Sequence, residues 1–184
     1  MSSVPQPSGG STLADLEAMP GNDGQRYELV DGHIIVTPWP SHYGGVSFRL
    51  GPILAHSVPP GHASYRLCGL DLPDGQRVIP DLMVAPHTSV GEQRVHAPVL
   101  LIVEVLCGLG ESELAIKREA YAAAGVPAYW LIDPDTTMAT CLRLEGDRYT
   151  TYAEGPVVAV DWPVAVTIDV AEVARPQASA PGGA

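Results

Sequence analysis

The segment Val99-Leu-Leu-Ile-Val-Glu-Val-Leu106 is an almost unbroken apolar run, the pattern of a sheet strand covered on both faces. Residues 111–124 follow it with Leu114, Lys117, Tyr121 and Ala124 at i, i+3, i+7 and i+10, which puts them on one helical stripe. Gly125 and Pro127 close that helix, and a second apolar run spans residues 128–133. Strand, helix, strand predicts a right-handed parallel crossover within a central sheet. An α/β domain is the expectation.

Upstream, Thr12-Leu-Ala-Asp15 has the form of a capping box opening a short helix that Pro20-Gly21 stops. Two β-prone runs from Tyr27 to Val36 flank Asp31-Gly32, the residue pair that a two-residue hairpin favours. Between Ser41 and His56, Val46, Leu50, Ile53 and Leu54 share a helical face, and Pro59-Pro60-Gly61 ends it. Residues 63–72 and 77–85 read as two further strands, and a hairpin from Met138 to Tyr152 turns through Glu145-Gly146-Asp147. The stretches 1–10 and 176–184 are Pro, Ser, Gly and Ala with little apolar mass, so disordered tails are expected on either side of one domain over 11–175.

The chemistry starts from what does not belong. Glu104 interrupts the apolar run, and an unpaired carboxylate buried there would cost several kcal/mol or stay protonated. Asp81 is a similar exception in Val78-Ile-Pro-Asp-Leu-Met-Val84. Two carboxylates near the ends of neighbouring strands can meet at the rim of a sheet, and hard oxygen ligands so placed suit Mg²⁺. Lys117 lies on the stripe that should face the sheet, thirteen residues after Glu104. It is the sole lysine among ten basic residues, which points to a need for a compact ammonium rather than a guanidinium. Each residue alone has an ordinary explanation: strand-end acids are solvated, and a lysine can carry its ammonium out to water. Their joint pattern favours a site.

Composition bounds the partners. A formal net charge of −11 opposes non-specific attraction to a nucleic-acid backbone, although carboxylate-bound metal offsets part of it locally. No apolar run approaches the roughly 20 residues that span a bilayer, and Met1 to Gly10 lacks the form of a signal peptide. A cytoplasmic protein is expected. Cys68, Cys107 and Cys141 are too few and too scattered for a disulfide framework or a zinc cluster and read as free thiols.

Tyr27-Glu-Leu-Val-Asp-Gly32, His42 opening a helix, Pro80-Asp81, Val103-Glu-Val-Leu106, Lys117 with Tyr121, Ala124-Gly-Val-Pro-Ala-Tyr-Trp130 and Ile132-Asp-Pro134 together resemble the Uma-two endonuclease family of the PD-(D/E)xK nuclease superfamily. The resemblance runs from about residue 12 to 155. It implies a restriction-endonuclease-like mixed central β-sheet flanked by α-helices. It also implies Asp81, Glu104 and the Val105 carbonyl as ligands of Mg²⁺, with Mn²⁺ as substitute, and Lys117 as the catalytic lysine. That lysine is displaced onto the helix, since position 106 is Leu. Glu28 matches a recurrent acid that supports the metal or its water, and is otherwise a solvated hairpin glutamate. His42 matches a recurrent histidine, a cap or packing residue as readily as a catalytic one. Where the family carries a Ser-Pro-Ser-Thr-like turn, this chain has Cys107-Gly-Leu-Gly110. The expected activity is metal-dependent cleavage of DNA, with a homodimer natural for an enzyme that cuts two strands. The alternatives are a catalytically silent nuclease fold used for protein contact, or a structural domain in which Glu104 and Lys117 are only an ion pair.

Overall fold

The computed structural model describes residues 10–21, 23–38, 44–90, 94–106 and 110–175. The expected tails, 1–9 and 176–184, lie outside them, as do His42 and Cys107. The capping box forms: Thr12 caps α1 (Leu13–Glu17), and Asp15 answers through its carboxylate. β1 (Gln25–Val30) and β2 (His33–Pro38) make the hairpin, with Asp31 at φ 48° and Gly32 at φ 70°. Both turn residues take the left-handed region that the pair Asp-Gly favours. The N–H of Ser11 donates to the Gly32 carbonyl at 2.7 Å, so the chain is pinned to the hairpin from its first described residues.

α2 (Gly44–Ala55) carries Pro52 inside it and buries Val46, Leu50 and Leu54. The two long strands expected over 63–72 and 77–85 each break in two. Leu67, at φ 50°, separates β3 (His62–Arg66) from β4 (Leu70–Asp71). Pro80, which has no N–H to donate to a ladder, separates β5 (Arg77–Val78) from β6 (Leu82–Pro86). Apolar continuity hid both breaks. After the short β7 (Val95–His96), β8 (Leu101–Val105), α3 (Glu111–Ala123) and β9 (Ala128–Asp133) form the predicted crossover, with β8 and β9 parallel. Gly125, at φ 71°, ends α3 where a side chain would be strained. β10 (Met138–Glu145) and β11 (Arg148–Gly155) form the expected hairpin. Beyond it the chain adds β12 (Val157–Val160), β13 (Val166–Asp169) and α4 (Val170–Ala174), which the sequence reading left blank.

Two sheets share the work. The six-stranded sheet has the order β11-β10-β9-β8-β6-β3, with β8 and β9 parallel and the other neighbours antiparallel. The five-stranded sheet runs β2-β1-β5-β4-β7. One face of the larger sheet packs Leu82, Val103 and Trp130 with Leu50, Leu54, Ile168 and Val173, which brings in α2, β13 and α4. Its other face packs Met83, Ile102 and Tyr129 with Val30, Val78, Ala120 and Tyr121, from the smaller sheet and α3. Side chains alternate along β8, so Glu104 faces this second layer together with Ile102. Among the described residues no helix is long and apolar enough to cross a membrane.

Candidate active site

Four segments converge where the two sheets meet α3. Asp81 lies in the break between β5 and β6, Glu104 on β8, Lys117 on α3, and Arg26 and Glu28 on β1. Arg26, Glu28 and Val30 are spaced by two along β1 and therefore share a face. All five charged side chains are almost dry: 0% exposed for Glu28, Glu104 and Lys117, 3% for Arg26 and 6% for Asp81.

The hydrogen bonds explain how they coexist. Arg26 Nη1 donates to Asp81 Oδ1 at 3.1 Å, and the Val105 N–H donates to Asp81 Oδ2 at 2.8 Å. Lys117 Nζ and the Tyr121 hydroxyl both donate to Glu104 Oε1, at 2.9 and 2.8 Å. Glu28 Oε1 accepts from the Ile79 N–H at 2.7 Å, next to the proline that ends β5. Glu28 Oε2 lies 2.9 Å from Lys117 Nζ and 3.6 Å from Arg26 Nε, ion pairs without hydrogen-bond geometry. Glu104 Oε2 is buried and has no hydrogen-bond partner among the described residues.

Electrostatics separates the carboxylates of Asp81 and Glu104. Burial, followed by the charge of Glu104, raises the pKa of Asp81 to about 6 despite Arg26. Burial also works against ionised Glu104, but Lys117 and then Arg26 overcome it and hold its pKa below the ordinary value. For Lys117, burial is the largest influence and opposes the ammonium, yet Glu104 and Glu28 leave its pKa raised. Lys117 therefore stays charged. With all five groups ionised the cluster has three carboxylates against two cations, one negative charge in excess. Acids whose pKa values are pushed apart within one buried polar cluster mark a candidate functional site.

Asp81, Glu104 and Lys117, expected to converge, are brought together. Glu28, for which a solvated position was equally open, is fully buried and joined to Lys117. Val105 sits beside Asp81 through its N–H. The sequence reading did not single out Arg26, which precedes the Tyr27–Val36 run on which the hairpin was read. The available signal was its place two residues before Glu28 and four before Val30. Cys68 and Cys141 are free thiols, as expected.

Comparison with known proteins bears on the family and the fold. A family model described as "Putative restriction endonuclease", Uma2, matches residues 13–167. No curated protein matches the chain. Among solved structures, the crystal structure of "a putative nuclease belonging to DUF820" from Anabaena variabilis superposes with a TM-score of 0.70 at 16% identity, covering 89% of this chain and 99% of that one. At that identity the likeness speaks to fold, and the fold is the restriction-endonuclease-like arrangement of mixed sheet and flanking helices. With most of its length covered by the family model, the chain belongs to the Uma2 family.

Proposed function

We propose that the chain hydrolyses DNA phosphodiester bonds with a divalent cation, Mg²⁺ or Mn²⁺, held by Asp81, Glu104 and the Val105 carbonyl. The observation that carries this reading is Glu104 Oε2, a buried carboxylate oxygen with no hydrogen-bond partner among the described residues, beside a second carboxylate whose pKa Glu104 helps to raise. A purely structural ion pair would be expected to satisfy that oxygen. The excess negative charge of the cluster points the same way. Among the described residues no three His, Cys, Asp or Glu side chains are grouped for a metal. Two carboxylates and a backbone carbonyl nevertheless form a donor set that Mg²⁺ accepts, with water and substrate phosphate completing it.

A bound cation would supply Lewis acidity toward the scissile phosphate and a lower pKa for its water. The protein's own groups do the rest. Lys117, kept protonated, acts as a charged donor that orients the attacking water and stabilises developing negative charge, rather than as a base. Glu28, 2.9 Å from the ammonium, helps to sustain that charge. Arg26 holds Asp81 in place through Oδ1, and the Val105 N–H does the same through Oδ2.

The test is plasmid cleavage with Mg²⁺ or Mn²⁺ by the wild type and by Asp81→Ala, Glu104→Ala and Lys117→Ala. Nicking by the wild type is expected, with each variant slower by at least about 10²–10³-fold. Cleavage surviving in all three variants would overturn the assignment. One observation favours a second reading, a silent module used for protein contact: the cluster is nearly dry, in a chain of net charge −11. Calorimetric titration with Mn²⁺ separates the two. Binding that disappears in Asp81→Ala supports the nuclease, and no binding by the wild type supports the module.

A further inference from the structure

The two oxygens of Glu104 live in unlike surroundings. Oε1 receives two donors, the Lys117 ammonium and the Tyr121 hydroxyl, at 2.9 and 2.8 Å. Oε2 receives none among the described residues although it is buried. Lys117 and Tyr121 are four residues apart on α3, so one helix face delivers both donors to the same atom. Their grip differs. The lysine is a point charge on a flexible stem, shared with Glu28 at 2.9 Å. The tyrosine is a rigid ring, fully buried and set edge-on against Tyr129 with centroids 5.1 Å apart and planes at 73°. From that packed position its hydroxyl donates to Oε1.

We propose that Tyr121 is a positioning residue for Glu104: with Lys117 it occupies Oε1 and leaves Oε2 as the one oxygen presented to a divalent cation. The inference rests on the metal-dependent reading above. It adds a specificity. A carboxylate limited to one oxygen matches the compact octahedral shell of Mg²⁺ and Mn²⁺, whereas Ca²⁺ is often bound by both oxygens of a carboxylate in a looser shell. Tyr121 therefore biases the site toward the smaller cations.

The experiment titrates the full chain calorimetrically with Mn²⁺ and with Ca²⁺, using wild type, Tyr121→Phe and Tyr129→Phe. Tyr129 is a matched control, because its hydroxyl is buried in the same layer and has no hydrogen-bond partner among the described residues. Tyr121→Phe keeps the ring and is expected to weaken Mn²⁺ binding by about ten-fold while Ca²⁺ binding holds or improves. Its metal-free Tm and circular dichroism should match the wild type. Tyr129→Phe should alter neither cation's affinity. A wild-type Mn²⁺ to Ca²⁺ ratio in Tyr121→Phe overturns the inference alone. So does an equal loss of both cations accompanied by a lower metal-free Tm, which marks a merely structural role. A wild type that binds neither cation overturns the metal-dependent reading, and the inference with it.

Discussion

Replacing Lys117 by methionine is expected to destabilise the metal-free protein by about 3–5 kcal/mol. Lys117 is fully buried between Glu104 and Glu28, 2.9 Å from each. Methionine fills most of the stem's volume, so the loss comes from two carboxylates left without their cation rather than from a cavity. Arg26, 3.6 Å from Glu28, softens the effect without replacing the ammonium. Adding Glu28→Gln and Glu104→Gln to Lys117→Met removes the stranded charges and should recover most of the stability. Neither protein should cleave DNA. Chemical denaturation in the presence of a chelator measures both. A Lys117→Met protein within about 1 kcal/mol of the wild type would contradict the claim that buried charge pairing holds this layer together.

The second large effect is on pH dependence, through Asp81. Its pKa in the folded, metal-free protein is raised to about 6 by burial and by Glu104, against an ordinary value of 3.8. Between those values the folded protein keeps a proton that the unfolded chain has released. Stability therefore falls as pH rises through this window. The Asp81 contribution is fully present below about pH 4 and lost above about pH 6, with a size on the order of 3 kcal/mol. Asp81→Asn cannot titrate and should lack this slope. Subtracting its stability-versus-pH curve from that of the wild type isolates the effect, and parallel curves from pH 4 to 7 would refute it. At neutral pH, Mn²⁺ at about 100 times its Kd should restore about 2.7 kcal/mol to the wild type and nothing to the variant.

Much of this was legible because the crossover is self-announcing. An apolar strand, a striped helix and a glycine stop leave few folds open, and a charge inside either apolar surface has to be accounted for. Glu104 and Lys117 stood out for that reason. Asp81 was readable through Pro80, but the strand break around it was not, since the residues on either side are apolar enough to suggest one strand. Arg26 and Glu28 were harder. An isolated hairpin exposes one face, so alternating polar residues read as solvent-facing. Only the packing of the smaller sheet on the larger reverses that. The hairpin β12–β13 and α4 escaped because they are short and their partners lie far away in sequence, in α2 and the larger sheet.

The break at Ile79–Asp81 is where the chain passes from one sheet to the other, and the proposed ligand is the residue that completes the passage. A drift in how the sheets seat on each other would displace Asp81 before it unfolded either one. Lineages in which such drift accumulates should lose turnover first and architecture last. Inert descendants that keep the whole scaffold are therefore an expected by-product if the proposed centre is built across this seam.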